Sequence, residues 1–251
     1  MNKFSLAAML ILAFSLSALA QDAKVGVLTA SRAGRPSSSH SKSPTWGLPS
    51  VPGAIIFYGG DINVNDPNAQ GFANGDTETV PGASTYGGVQ APPLGRVVAG
   101  GTFGNNTAFF GYFDGEATYD VRSGVSEGNG GTVVESGMGA ETETPTGREP
   151  FGLIEYSTYV KFAKPITATP GTIYWVNENP QCLSNPGCAS GEFYYLSNTT
   201  QQTNNVNGWA QVPHQIFFNS NYFGFNWANW CDSSLGQNQQ QCEYLSFGLT
   251  R

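Results

Sequence analysis

The chain has 251 residues with 11 basic and 18 acidic side chains, a formal net charge of −7, 32 glycines, 15 prolines and 13% aromatic residues. A negative balance repels nucleic acid and anionic lipid, and this aromatic content argues against a disordered chain. Glycine and proline disfavour helices while Tyr, Phe and Trp favour strands, so the composition points to short strands joined by tight turns.

Met1-Asn2-Lys3 carries one positive charge and is followed by an uncharged run from Phe4 to Ala20 that ends Ala18-Leu19-Ala20. That pattern predicts a secretory signal cleaved near Ala20. No later segment is apolar enough to span a bilayer. The expected mature chain of about 230 residues is therefore secreted, extracellular or held at the cell surface, with no transmembrane anchor. Residues 21–52 read as a flexible Ser/Pro-rich lead, in which Pro36, Pro44, Pro49 and Pro52 oppose regular structure. Four basic residues lie in this lead; residues 53–251 hold six basic and seventeen acidic groups.

A single domain is expected over residues 53–251, with 180–251 either packed into it or forming a stapled extension. Its first strand is Ala54–Tyr58, stopped by Gly59-Gly60. A long loop follows from Asp61 to Pro93. Further strands are predicted at Arg96–Phe103, Ala108–Phe113, Ala117–Arg122, Thr132–Glu135, Phe151–Phe162, Thr172–Val176, Glu192–Leu196, Gln215–Phe218, Tyr222–Trp227 and Glu243–Leu249. About eleven strands without 3.6-residue periodicity give an all-β, antiparallel β-sandwich of jelly-roll type. In Phe151–Phe162, alternation places Ile154, Tyr156, Thr158, Val160 and Phe162 in the core. Glu155, Ser157, Tyr159 and Lys161 fall on a solvated face. The same logic turns Tyr119 and Val121 inward, Asp120 and Arg122 outward.

Cys182, Cys188, Cys231 and Cys242 make an even count in an exported chain, which predicts two disulfides. Three pairings are open. The local one is favoured because Asn185-Pro186-Gly187 can turn the chain between Cys182 and Cys188. The spacings lack a zinc-type C-x₂₋₄-C pair.

Tyr58-Gly59-Gly60-Asp61-Ile62-Asn63, Asn65-Asp66-Pro67-Asn68, Thr102-Phe103-Gly104-Asn105-Asn106 and the run Val121 to Thr132 occur in this order over residues 53–228. In these motifs the chain resembles exported bacterial β-sandwich modules of the kind found ahead of PEP-CTERM or similar surface-sorting tails. The tail itself is not seen at Leu249-Thr250-Arg251. The resemblance implies a fold and a location outside the cytosol, and it brings no activity with it.

Four features bear on chemistry. Asp61, Asn63, Asn65 and Asp66 alternate hard oxygen donors as a calcium loop does, although Asp66 and Phe72 stand where an EF-hand has Gly and Glu. The competing reading is an Asx-turn loop. Gly124-Val125-Ser126-Glu127-Gly128 spells a nucleophile elbow, with His214 downstream, but a strand rather than a helix is expected to follow, which favours a glycine-rich hairpin. Asp114, Glu116, Asp120 and Glu155 could pair as acid and base in a polysaccharide hydrolase. Trp209 and Trp230, beside Asn/Gln-rich loops, are the candidates for stacking on sugar rings. The reading these give is a non-enzymatic binding or structural protein with calcium-assisted glycan or cell-envelope binding. The alternative is a hydrolase with paired carboxylates.

Overall fold

The computed structural model describes residues 27–29, 48–66, 69–77, 82–108, 113–184, 188, 194–199, 208–231 and 244–251. Among these are fifteen strands: β1 (Val27–Thr29), β2 (Ile55–Tyr58), β3 (Gln70–Ala73), β4 (Asp76–Thr77), β5 (Ser84–Gln90), β6 (Val97–Ala108), β7 (Glu116–Ser123), β8 (Thr132–Pro145), β9 (Glu155–Ala168), β10 (Ile173–Cys182), β11 (Tyr194–Thr199), β12 (Ala210–Ser220), β13 (Phe225–Asn229), β14 (Tyr244–Leu245) and β15 (Phe247–Thr250).

They form an antiparallel β-sandwich. In the first sheet the long β6 pairs with β9 on one side and, on the other, with β15 and β11 laid end to end. Strand β2 flanks β15, β3 flanks β11, and β1 lies outside β3. The second sheet runs β8-β7-β10-β5-β12-β13. Strand β8 belongs to both sheets. Its residues 132–140 pair with β7 and residues 141–145 with β9, so the chain turns the corner of the sandwich without breaking. The one parallel pair among the described strands is the two-residue contact of β4 with β10.

One apolar cluster joins the sheets. Phe57, Phe72, Val160, Phe162 and Phe247 of the first meet Val89, Val121, Val176 and Phe218 of the second. Glycine sets the spacing at one contact between the sheets. A Cβ on Gly87 of β5 would lie 2.3 Å from the Phe247 ring, so Gly87→Ala is expected to lose about 1–3 kcal/mol by overpacking, read as a lower urea midpoint.

Alternation along β7 holds: Tyr119 and Val121 are each 2% exposed. Other expectations change. There are fifteen strands rather than about eleven. The presumed loop 61–93 contains β3, β4 and β5, whose glycines serve close packing. The lead is not structureless throughout, because Val27–Thr29 adds an edge strand to β3. Residues 151–154 form no strand; a 3-10 turn at Pro150–Gly152 precedes β9. Strands β11 to β15 all hydrogen-bond into the two sheets. The signal segment lies outside the described residues.

Candidate functional site

The outer face of the first sheet carries a buried polar layer where solvent was expected. Glu155 is fully buried and Asp61 is 2% exposed. Arg148 bridges them, with Nη1 at 2.7 Å from Asp61 Oδ1 and Nε at 2.5 Å from Glu155 Oε2. The Tyr58 hydroxyl also donates to Asp61 Oδ1. Burial first, then the Asp61 charge, holds the Tyr58 pKa well above its usual value, which keeps that donor protonated. Ser197 Oγ and Thr146 Oγ1 donate to Glu155 at 2.6 and 2.9 Å. Residues 155, 157 and 159 do point away from the core, as alternation requires, but this second layer covers them.

That layer corrects the calcium-loop expectation. Asp61 is aimed into the protein at Arg148 and Tyr58. Asn63 Oδ1 accepts the Asn65 amide at 3.1 Å, and the Asn63 carbonyl accepts the Asp66 amide at 2.9 Å. The loop is an Asx turn, its side-chain oxygen occupied by its own backbone.

Trp209 and Trp230 are each 1% exposed, so neither forms a sugar-stacking platform. Trp230 packs on Phe72, Phe218 and Phe225, with ring centroids 4.6–5.9 Å apart. Polar sequence beside a Trp did not bring exposure of the ring. Trp230→Ala is expected to cost about 3–5 kcal/mol as a cavity in this cluster, measured by chemical denaturation.

Ser126, Asp120 and Asp114 have structural roles, and Glu116 is exposed at the start of β7. Ser126 sits in a hairpin, its amide 2.9 Å from the Asn129 carbonyl, and β8 follows; the helix that a nucleophile elbow requires is absent here. Asp120 Oδ2 accepts from Arg122 Nε at 2.5 Å and from the Tyr86 hydroxyl at 2.9 Å. Asp114 Oδ2 accepts the Leu183 and Ser184 amides at 2.5 and 2.9 Å, steadying the chain beside the Cys182–Cys188 disulfide. That disulfide spans a Cα separation of 5.4 Å. Cys231 is also disulfide-bonded; Cys242 lies outside the described residues. Asp114 and the sulfurs of Cys182 and Cys188 lie within 4.8 Å of one another, but bonded sulfurs offer no thiolate to a metal.

Between the sheets lies a carboxyl pair that the residue types alone did not single out. Glu178 of β10 is 4% exposed. Asn106 Nδ2 and Thr158 Oγ1 donate to its Oε2 at 3.0 and 2.9 Å. Asn74 Nδ2 donates to Asn106 Oδ1 at 3.2 Å and to the Glu178 carbonyl at 2.6 Å, and Asn177 Nδ2 donates to Asn74 Oδ1 at 2.6 Å. This amide chain fixes Glu178 from one side. Among the described residues neither its Oε1 nor either oxygen of Glu141 has an N–H donor, and all three are shielded from water. The two carboxyls meet within hydrogen-bonding reach. Burial first, then the Glu178, Glu143 and Asp114 charges, pushes Glu141 up to about 11; burial pushes Glu178 up to about 8. Phe113, stacked on Tyr194 at 4.8 Å and edge-on to Tyr156 at 5.4 Å, lies at this end of the sandwich.

No family model, curated protein or solved structure matches the chain. One signal for the pair was present in the sequence. Alternation through the buried Tyr174 and Val176 leads to Glu178, whereas the glycines before Glu141 carry no such signal.

Proposed function

We propose that the protein is an exported cell-surface or extracellular β-sandwich that acts by binding or as a structural component of the envelope or matrix, without turnover. The observation that carries this reading is the fate of the acids. Of the four candidate acids, Glu155, Asp120 and Asp114 are bonded to groups of the chain itself, and Glu116 stands exposed at the start of β7, so no two of them face each other as a free acid and base. The disulfide fits an oxidising compartment, and no helix among the described residues is long and apolar enough to cross a membrane. The signal-like N-terminus and the resemblance to exported bacterial modules point the same way. With Trp209 and Trp230 in the core, the partner is an envelope polymer or protein held by surface other than those rings.

A second reading is favoured by the Glu141–Glu178 pair, since two facing carboxyls that share a proton can act as acid and base. One experiment separates the two. The oxidised chain, expressed from its own start in a bacterial host, is fractionated, applied to insoluble polysaccharides and envelope preparations, and assayed for reducing sugar. Export with cleavage near Ala20, retention on one of these materials or in the envelope, and no sugar release support the proposal. Sugar release abolished by Glu141→Gln overturns it in favour of the hydrolase. Retention in the cytosol overturns export.

A further inference from the structure

We propose that the Thr158 hydroxyl and the Asn106 side-chain amide close an ester cross-link between β9 and β6, with Glu178 carrying the proton and ammonia leaving. The bond is a modification of the chain itself, independent of what the protein binds outside. Strands β6 and β9 pair along the first sheet, and these two side chains meet between the sheets, where Asn106 Nδ2 lies 2.7 Å from Thr158 Oγ1. Both residues are fully buried. The hydroxyl is therefore held against the amide while water is kept away, which makes the reaction intramolecular and protects its product from hydrolysis.

The parts that acyl transfer needs are bonded in place. Thr158 Oγ1 donates to Glu178 Oε2 at 2.9 Å, with the Gly104 carbonyl as a second acceptor at 3.1 Å. Asn106 Nδ2, the leaving nitrogen, donates to the same Oε2 at 3.0 Å. One carboxyl oxygen thus touches both the proton to be removed and the nitrogen that must receive it. Asn74 Nδ2, 3.2 Å from Asn106 Oδ1, is placed to stabilise the charge that builds on that oxygen. Burial raises the Glu178 pKa, which makes its carboxylate a stronger base towards the hydroxyl. Gly104 leaves the room, since a Cβ there would lie 2.9 Å from Asn106 Nδ2 and 3.0 Å from Glu178 Oε2. In the step, the Asn106 amide turns about its Cβ–Cγ bond and presents Cγ to Oγ1. The Oγ1–Cγ bond forms as Glu178 takes the hydroxyl proton, and the Cγ–Nδ2 bond breaks as Glu178 returns that proton to the nitrogen. The products are one ester and one ammonia, with the carboxyl unchanged.

The mature, oxidised protein, unfolded in urea and digested with trypsin, should yield peptides 97–122 and 149–161 as one species, lighter by one ammonia than their sum. Mapping the peptides separates this from cyclisation of an N-terminal Gln21, which also releases ammonia. Hydroxylamine, which cleaves esters, should part the joined species. Thr158→Val should give two separate peptides with Asn106 intact. Thr158→Ser, which keeps a hydroxyl, should still join them and guards against a valine variant that fails to fold. Glu178→Gln should cut the joined fraction roughly tenfold or more. Two separate peptides of unchanged mass from the parent would mean that hydrogen bonds alone hold this network, and overturns the proposal. So would a joined species in Thr158→Val, or a Glu178→Gln protein joined as fully as the parent.

Discussion

Replacing Arg148 by methionine is expected to lower the unfolding free energy by about 3–5 kcal/mol, the cost of leaving buried charges without their partner. A domain of ordinary stability, about 5–15 kcal/mol, would lose much of its margin. The side chain is 15% exposed, and it lies between one carboxylate at 2% exposure and another at 0%. Burial alone works against its charge. The Glu155, Tyr58 and Asp61 groups around it more than offset that and raise its pKa. Lysine should not rescue the variant, because Nη1 and Nε serve two acids in different directions, a fork that a single ammonium does not reproduce. Removing the acids as well separates the pair energies from a general packing defect. If Arg148→Met loses 4 kcal/mol, the triple variant with Asp61→Asn and Glu155→Gln should regain a large part of it. Additive losses in a denaturant series would instead show that the layer holds the sheet by shape, without coupling between its charges.

The same layer shows how far the sequence could be read. Period-two alternation assigned the faces of β9 correctly from Thr158 to Phe162, because strand geometry alone decides which way a side chain points. It could not reveal that Tyr58 and Asp61, far away in sequence, and Arg148, seven residues before Glu155, meet over that face. Burial of an outward face is a tertiary fact, and polar residues there read as surface. The Gly-rich stretch 84–90 read as loop for a related reason. Gly87 and Gly88 are small because Phe247 and Trp175 press on them, and single-strand pattern carries no trace of a ring from another strand. Trp209 and Trp230 misled in the opposite direction, since a large apolar ring is buried wherever the fold offers room. The antiparallel sandwich itself was legible because turn residues and alternation recur along the whole chain.

Glu141→Gln is expected to be more stable than the parent at pH 8 and to show a shallower fall in stability between pH 5 and 8. The sign follows from the folded-state shifts. An exposed Glu titrates near 4.3, whereas burial holds the Glu141–Glu178 pair well above that range in the folded protein. Above pH of about 4.5 the unfolded chain has released protons that the folded pair still keeps. Stability is therefore fullest in acid and falls as pH rises, by about 1.4 kcal/mol per pH unit for each proton retained. The fall stops once pH passes the folded values. Glutamine at position 141 removes one titrating carboxyl and gives Glu178 a neutral amide donor, so the slope should drop by about one proton. Equilibrium urea denaturation at pH 5, 6.5 and 8 measures it. Parallel curves for parent and variant would mean that the two carboxyls are ionised and solvated in the folded chain.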